Sequence, residues 1–170
     1  EVEPFEYDRV LCCTGFAFDD SMFDESCKPE LAISDRFPTQ TEEWESTNIP
    51  NLYFAGTLMQ MRDFKKKQSG FIHGFRYNVK LLNRILEHKR HGVELACDEL
   101  PRCAEAITKR CIARGDGNSA LWQQTGYMCD LLVDKGDGSV QYYEDLSLDY
   151  VHDNWLGEND TYYTMTMEFG

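Results

Sequence analysis

The 170-residue sequence lacks features that would assign it to several common classes. No apolar run approaches the ~20 residues that a membrane-spanning helix requires, so we expect no membrane span in this segment. No C-x-x-C pair occurs, so neither a zinc ribbon nor a thioredoxin-type redox motif is indicated. Basic residues are outnumbered by acidic ones, 17 to 30, which argues against nucleic-acid binding. The apolar fraction of 42% is nevertheless enough to bury a core.

The two ends of the sequence do not resemble natural termini. The chain begins at Glu1 without an initiator methionine, and its last residues, YYTMTMEFG, have a strand pattern to the end. We therefore expect a segment of a longer protein, with an incomplete fold. A sheet that lacks its neighbouring strands exposes edges and apolar faces, so we expect this segment alone to be inactive and to bind cofactor weakly or not at all.

Charge is unevenly distributed along the chain. The stretch 62–90 contains nine Lys or Arg and two acids, whereas 115–170 contains eleven acids and one lysine. The basic stretch covers one predicted helix and the loop before it, and a solvated helix face explains it most simply. A neighbouring pyrophosphate group is the alternative explanation.

The seven cysteines have two different settings. Cys12 and Cys13 lie in an apolar run, where free cysteine behaves as a small hydrophobe, so core packing is predicted for both. The other group lies mostly in the second half of the chain, at Cys97, Cys103, Cys111 and Cys129. These four are compatible with disulfides in an oxidising compartment and with buried thiols in a reducing one.

Two short apolar runs each end at a glycine. Tyr7–Thr14 reads YDRVLCCT before Gly15, and Asn51–Ala55 reads NLYFA before Gly56. Each run has the continuous apolar centre of a buried parallel strand. Ligands of open α/β sheets bind at the carboxyl ends of such strands, where a glycine leaves room against the backbone. The pair predicts an α/β fold with a ligand above the glycines, although two ordinary strands with ordinary turns are the alternative.

A helix is predicted after the second strand. Apolar residues spaced by three or four positions would form its inner face, namely Phe71, Phe75, Val79, Leu82 and Leu86. Ser69 is the expected N-cap and Gly92 the expected C′ residue. Residues 88–91 place basic and imidazole side chains at the negative end of the helix dipole. The unpaired N–H groups near Gly70 are predicted to face the same ligand as the strand glycines.

The character of the sequence changes after Gly92, and a domain boundary is predicted near residues 92–98. Pro101–Arg114 is predicted to be a helix, with Ala104, Ile107 and Cys111 facing inward. A β-hairpin is predicted from 127 to 150 around the turn DKGDGS at 134–139. The last residues alternate apolar and polar side chains, which predicts a half-buried strand with its apolar side formed by Tyr163, Met165, Met167 and Phe169.

These motifs resemble the end of the FAD domain in flavoproteins with two dinucleotide-binding domains, a group that includes thioredoxin-reductase-like enzymes and flavin-containing monooxygenases. Cys13-Thr14-Gly15 stands where such proteins have an Ala-Thr-Gly crossing between nucleotide domains. Residues 48–56, NIPNLYFAG, resemble the strand that returns to the FAD domain. More narrowly, 8–23 and 47–78 resemble the family of endoplasmic-reticulum FAD-dependent oxidoreductase-domain proteins associated with degradation of misfolded glycoproteins.

The resemblance implies a fold and a set of partners. Residues 1–92 would form the end of a Rossmann-like FAD/NAD(P)-binding domain of α/β class, and residues 93–170 an α+β appendage. FAD would be the cofactor, NADPH or NADH the electron donor, and the lumen of the endoplasmic reticulum the location. Endoplasmic-reticulum degradation factors and a disulfide reductase would be the protein partners.

The flavin ring and ribityl chain are expected over Gly56 and the start of the helix. The expected cofactor-binding residues are Thr14, Gly15, Gly56, Thr57, Ser69, Gly70 and Phe71. Thr57 stands where many such flavoproteins have an aspartate that binds a ribityl or ribose hydroxyl. Monooxygenase-like members also lack that aspartate, so Thr57 favours them. No catalytic acid, base or nucleophile stands out, as expected where the flavin supplies the chemistry.

Other motifs receive structural interpretations. Residues 115–120 match G-x-G-x-x-A but follow a helix rather than a strand, so a surface loop is predicted. Residues 134–139 lack the ligand spacing of an EF-hand, so a hairpin turn is favoured over a calcium loop. His73 is interpreted as a packed or half-exposed helix residue, with proximity to a flavin edge as the alternative. His88 and His91 lack the further ligands of a metal site.

Two rival functions remain open at this point. In the first, the nucleotide fold is a scaffold and the acidic, aromatic tail binds partners. Its contact area would come from Tyr142, Tyr143, Tyr150, Trp155, Tyr162 and Tyr163. The second is a cytosolic monooxygenase, which would be favoured if all seven cysteines were free thiols in the native protein.

Overall fold

A four-stranded antiparallel sheet in the second half of the chain organises the structure, a computed structural model that describes residues 6–155 and 161–168. The strand order is β3-β5-β4-β6. The strands are β3 (Cys97–Pro101), β4 (Met128–Asp134), β5 (Ser139–Ser147) and β6 (Thr161–Met165). A separate two-stranded ribbon pairs β1 (Leu31–Ala32) with β2 (Phe37–Pro38). The helices are α1 (Ile72–His91), α2 (Ala104–Gly117), α3 (Ser119–Gln123) and α4 (Leu148–Asn154), and a 3-10 helix spans Gly56–Met61.

The hairpin of β4 and β5 confirms the sequence-based prediction. The turn between them is closed by aspartate side chains, since Asp134 accepts a hydrogen bond from the Gly136 amide and Asp137 one from the Ser139 amide, both at 2.9 Å. Residue 136 has φ 74°, a conformation that favours glycine. The second strand ends earlier than predicted, because Ser147 caps α4 and its Oγ accepts a hydrogen bond from the Tyr150 amide.

Helix α1 has the predicted end and a different start. Gly92 is left-handed with φ 66°, and its amide donates to the His88 carbonyl at 3.0 Å, as a helix C-cap requires. The prediction that Ser69 is the N-cap is wrong. Phe71 occupies that position with an extended backbone and no side-chain cap. The Ser69 side chain is instead used in a buried polar cluster described below.

The buried face of α1 is rotated from the predicted one. Leu82 is buried as expected, but Phe71 is 60% exposed and Val79 is 36% exposed. The buried apolar side chains are Tyr77, Leu81, Leu82 and Ile85. The rotation follows from the neighbours of α1, which are the 3-10 helix, α3 and β5 rather than a parallel sheet.

The first apolar run does not form the predicted strand. Among the described residues, 6–14 belong to no strand, and Val10 and Leu11 are 77% and 86% exposed. A buried parallel strand needs hydrogen-bonded neighbours and cover on both faces, and the described part of this chain supplies neither. The prediction that Cys12 and Cys13 pack in a core is wrong for the same reason, because both are exposed.

The second apolar run is only partly as predicted. Tyr53 forms an isolated antiparallel bridge with Glu45 instead of lying in a parallel strand. Phe54 is buried, and its amide donates to the Trp44 carbonyl at 3.0 Å. The chain then enters the 3-10 helix directly at Gly56, which has φ 75°. The glycine therefore marks a sharp change of direction, as predicted, but between different elements.

The segment 104–123 forms two consecutive helices. Ile107 and Cys111 on α2 pack against the sheet as predicted, whereas Ala104 is exposed. The predicted surface loop at 115–120 is wrong, because α2 continues through Gly117 and α3 follows at once. Asn118 separates them, and its side chain accepts a hydrogen bond from the Leu121 amide at 2.9 Å.

The apolar side of the last described strand is partly as predicted, since Met165 and Met167 pack inward as expected. Tyr163 is 63% exposed. Tyr162, Met165 and Met167 pack against the main hydrophobic cluster. Phe169 lies outside the described residues.

The main hydrophobic cluster draws on both sides of the predicted boundary at 92–98. Trp44, Met59 and Leu81 contribute from the first part, and Leu131 and Leu146 from the sheet, all with no exposed surface. The separation into 1–92 and 93–170 therefore stays a prediction. Helices and strands are mixed along the chain, which fits an α/β-containing segment, while every strand pairing in the described residues is antiparallel. None of the described helices combines the length and apolar character needed to cross a membrane.

Candidate functional site

A pocket of 420 Å³ lies where the Gly15 turn meets the start of the 3-10 helix. Its volume is within the range of roughly 300–1,000 Å³ that is usual for small-molecule sites. The lining residues come from three segments, namely 15–18, Arg36–Phe37 and 57–65. The pocket thus brings together Gly15 of the first strand–glycine motif and Thr57, the residue that follows Gly56 of the second, although neither preceding run forms a parallel strand.

The first wall of the pocket is the turn at Gly15. Gly15 has φ 91°, which disfavours other residues. Arg36 holds this turn, since its guanidinium donates to the Thr14 carbonyl at 2.8 Å and its own carbonyl accepts from the Phe18 amide at 3.0 Å. The Phe18 ring meets the buried Phe54 edge-on, at 6.0 Å between centroids. These contacts therefore attach the turn at Gly15, part of an otherwise exposed segment, to the packed part of the chain.

The second wall is the 3-10 helix and the loop after it. No atom lies within 4 Å of where a Cβ on Gly56 would be, so the space above this glycine is open. The buried Gln40 amide donates to the Leu58 carbonyl at 2.9 Å and fixes the first turn of the 3-10 helix. The Phe37 and Phe64 rings pack at 4.9 Å between centroids. This wall supplies the apolar side chains of Leu58 and Phe64 together with the cation of Lys65.

A hydrogen bond connects the second wall to the start of α1. The Thr57 hydroxyl donates to the Gly70 carbonyl at 3.0 Å. Gln60 fills the space over Gly70, where a Cβ would lie only 2.6 Å from its Oε1. Phe71 stacks on His73 with 5.5 Å between ring centroids. Gly56, Thr57 and Gly70 are therefore neighbours, while Phe71 points its exposed ring along the helix surface.

Ser69 lies in a buried polar cluster below this junction. Its Oγ accepts hydrogen bonds from Asn78 at 2.8 Å and from Gln124 at 2.9 Å, and its amide donates to Asp63 at 3.1 Å. Burial raises the pKa of Asp63, against the hydrogen bonds from Ser69 that lower it. Because Ser69 has no exposed surface, its side chain positions the loop before α1 rather than lining the pocket.

The pocket combines aromatic walls with positive charge. Phe16, Phe18, Phe37 and Phe64 supply apolar surface, and the charged lining residues are Arg36 and Lys65. No carboxylate is among the lining residues. Such a lining suits a flat aromatic ligand that carries negative charge.

The sequence analysis did not identify Arg36, Phe37 or Phe64. Arg36 and Phe37 lie in and beside the two-residue ribbon β1–β2, which is too short to produce a periodic pattern. The signal that was available is the presence of Phe64 and Lys65 in the basic loop between two glycine-containing segments. The basic stretch 62–90 therefore does contribute a cation to the pocket, in addition to a solvated helix face.

The histidines and the tail aromatics have other surroundings. His73 lies 3.3 Å from Gln68, and His88 donates from Nδ1 to the Val93 carbonyl at 3.0 Å. In the described residues no group of three His, Cys, Asp or Glu side chains could hold a metal ion. Tyr142 has no exposed surface and Tyr150 is 5% exposed, so these two do not supply the contact area that the scaffold hypothesis assigned to them.

The chain is similar to proteins named FAD-dependent oxidoreductase domain-containing protein 2. It is 33% identical to the Mus musculus protein over 145 residues and 31% identical to the Danio rerio protein over 144 residues, in each case 84% of the chain. The chain spans 22% and 20% of the lengths of these relatives. No protein-family model and no solved structure matches. The similarity supports the relationship to FAD-dependent oxidoreductase-domain proteins that the motifs at 8–23 and 47–78 indicate.

Proposed function

We propose that this chain is part of an FAD-dependent oxidoreductase and that the pocket between Gly15 and Thr57 receives the flavin ring in the full-length protein. The observation that carries the proposal is the convergence of both strand–glycine motifs on one pocket with aromatic walls and two cations. The relatives' names supply the cofactor class.

The residues of the pocket have defined roles in this proposal. The open space above Gly56 lets the ring approach the backbone, and the positive φ of both glycines keeps side chains out of that space. The Thr57 hydroxyl donates a hydrogen bond to the Gly70 carbonyl in this structure and could rotate to bind a ribityl hydroxyl instead. Arg36 and Lys65 offset the negative charge of a reduced ring or a nearby phosphate.

The chemistry would belong to the cofactor. A flavin held beside Gly15, Thr57 and Arg36 would supply hydride acceptance from NADPH or NADH and electron transfer to an acceptor. This chain contributes binding, orientation and exclusion of water, because no carboxylate, imidazole or thiol is among the residues that line the pocket. Thr57, in place of an acidic residue, supports a monooxygenase-like member of the class.

The cellular setting is part of the proposal. We infer a location in the lumen of the endoplasmic reticulum and an association with glycoprotein-degradation factors and a disulfide reductase. The support is the resemblance of 8–23 and 47–78 to the corresponding family. All seven cysteines are free thiols in the structure, the state that favours the rival cytosolic monooxygenase, and the exposed thiols of Cys97 and Cys103 are compatible with contacts to a thiol-active partner.

The absorption spectrum of the purified full-length protein tests the proposal. We expect a visible flavin band that bleaches on addition of NADPH or NADH under anaerobic conditions, and the faster donor identifies the nicotinamide preference. A folded protein without a flavin band, even after incubation with excess FAD, would contradict the proposal and favour a non-catalytic scaffold.

A further inference from the structure

A second pocket, of 240 Å³, lies between the end of α1 and the end of α4. It is separate from the flavin pocket and shares no lining residue with it. Three of its lining residues are aromatic, and one is acidic. The lining consists of His88, Glu94, Leu95, Tyr143, Tyr150, Asn154 and Trp155.

The three aromatic rings form adjoining walls at steep angles. The Trp155 ring lies 5.4 Å from the Tyr143 ring and 5.7 Å from the Tyr150 ring, with interplanar angles of 61° and 71°. Rings that meet in this way present faces and edges to a shared space instead of stacking on each other. We call these three adjoining rings the aromatic cage.

The cage is held by the secondary structure around it. Tyr143 lies on β5 and pairs with Cys97 of β3, and Tyr150 is buried within α4. The Trp155 amide donates to the Val151 carbonyl at 2.9 Å, and the Asn154 side chain donates to the Tyr150 carbonyl at 2.9 Å. These contacts fix the end of α4 and with it the backbone position of Trp155.

The charge at the cage is negative. Glu94 is exposed and forms no ion pair within residues 6–155 and 161–168. Two cations of α1 are engaged elsewhere, since Lys89 pairs with Glu43 and Glu45, and Arg84 donates to the carbonyls of Glu144 and Asp145.

We propose that this cage binds an alkylammonium cation, with its quaternary or methylated ammonium head against the half-buried Tyr143 and Trp155, its charge facing Glu94, and the buried Tyr150 ring supporting Trp155 from below. The faces of electron-rich rings attract a cation, and a methylated ammonium loses little hydration on entering such a site. The acidic character of 115–170 adds a favourable field for a cation. A compact inorganic cation fits less well, because the cage offers one carboxylate and few oxygen ligands.

Calorimetric titration of the full chain with choline, compared with its neutral carbon isostere at constant ionic strength, tests the proposal. We expect saturable choline binding and about tenfold or more weaker binding of the isostere, because only the charged head gains from the rings. An N-acetyl-trimethyl-lysine amide in parallel distinguishes the source. Tighter binding of this amide points to a modified side chain of a partner, and tighter choline binding to a free small molecule.

Variants locate the site. Glu94→Gln should weaken choline binding about fivefold through loss of one nearby charge, whereas Asp116→Asn, an exposed acid on α2, should leave it unchanged. Trp155→Leu should weaken binding about tenfold or more, and Trp155→Phe should retain most of it. Circular dichroism confirms that each variant is folded, and Glu94→Gln carries the test should Trp155→Leu unfold.

Three results would overturn the proposal. The first is equal affinity for choline and the neutral isostere. The second is an equal loss of affinity in Glu94→Gln and Asp116→Asn, which would show a general charge effect. The third is the absence of saturable binding up to choline concentrations of about 100 mM.

Discussion

Residues 6–30 and the sheet of β3–β6 contain similar apolar side chains and bury them very differently. In the first segment Leu11 is 86% exposed and Phe16 is 94% exposed. On the sheet, Leu131 and Leu146 have no exposed surface. An apolar run therefore does not determine its own burial; the neighbouring strands and helices that cover it decide the outcome.

The difference explains the character of the pocket that we propose for the flavin. The second wall, which includes Leu58, belongs to the packed part of the chain together with Phe37. The first wall, the outer one at Gly15, is attached to that part through Arg36 and Phe18. We infer that the outer wall gains its cover from the rest of the full-length protein, and that the pocket is complete only there.

Removal of the buried carboxylate of the sheet should have the largest effect on stability. Asp130 has no exposed surface and accepts hydrogen bonds from the Arg114 guanidinium, including one of 2.8 Å to Nη2, and from Tyr142 at 2.8 Å. Asp130→Ala leaves the Arg114 charge and the Tyr142 hydroxyl without this partner, so we expect a loss of about 3–5 kcal/mol in urea denaturation of the full chain.

Asp134→Ala is the matched control on the same strand. Asp134 pairs at 2.7 Å with Arg102, whose side chain is 56% exposed, and accepts the turn hydrogen bond from the Gly136 amide, so its loss should cost about 1–2 kcal/mol, less than the loss of Asp130. Equal losses for the two variants would show that the sheet is held by apolar packing alone.

Cysteine thiols in the first segment should react faster than a cysteine thiol in the sheet. Cys12 and Cys13 are exposed, whereas Cys129 is buried on β4, and burial raises the pKa of its thiol. Because the thiolate is the reactive form, a thiol reagent should modify Cys12 and Cys13 about a hundredfold or more faster than Cys129 in the native full chain. Mass spectrometry of partly labelled protein gives the rates. Equal protection of the three thiols would place the first segment in a packed core.

Alanine variants of two glycines with nearly equal φ distinguish the effect of backbone strain from an effect on cofactor binding. Gly56 beside the pocket has φ 75°, Gly136 in the hairpin turn has φ 74°, and neither has an atom near a potential Cβ. Either Gly→Ala change should cost roughly 1–2 kcal/mol of stability. Only Gly56→Ala should also lower the flavin content of the full-length protein, measured by absorption after unfolding. A similar loss of flavin in Gly136→Ala would trace the effect to stability.

Replacement of the buried Asp63, in the loop before α1, should have the smallest effect on stability. Burial raises its folded-state pKa above the ordinary carboxyl value, so folding favours the protonated form. Its contribution to stability is greatest below the ordinary pKa and declines as the pH rises through the folded-state pKa. Asp63→Asn should therefore stabilise the chain at neutral pH, with the gain vanishing in acid, when urea midpoints are measured against pH. The exposed Asp116→Asn should show no such dependence, and a destabilised Asp63→Asn at neutral pH would contradict the assignment.

Local signals in the sequence predicted the parts of the fold that depend on neighbouring residues. The hairpin at 134–139 and the end of α1 at Gly92 are determined by turn and cap chemistry, and the structure confirms both. The strand at Tyr7–Thr14 depends on long-range pairing, and that prediction is wrong for this chain. Ser69 had the side chain of a helix cap, but contacts with Asn78 and Gln124, distant in sequence, decided its position.

The residues of the candidate site were also predictable only where a local sequence signal marks them. Gly15, Gly56 and Thr57 could be identified because each glycine follows an apolar run, and the pocket brings these segments together. Arg36 and Phe37 could not, because their role arises from tertiary packing around the short ribbon β1–β2.

Flavin content of the full-length Thr57→Phe variant is the most direct test of the central claim that the pocket between Gly15 and Thr57 holds the flavin ring. A phenyl group at this lining position fills the pocket, whereas Thr161→Phe adds the same ring at an exposed position of β6. We predict that Thr57→Phe loses most of its flavin while Thr161→Phe and the parent protein retain it. Full flavin content in a folded Thr57→Phe protein would contradict the claim.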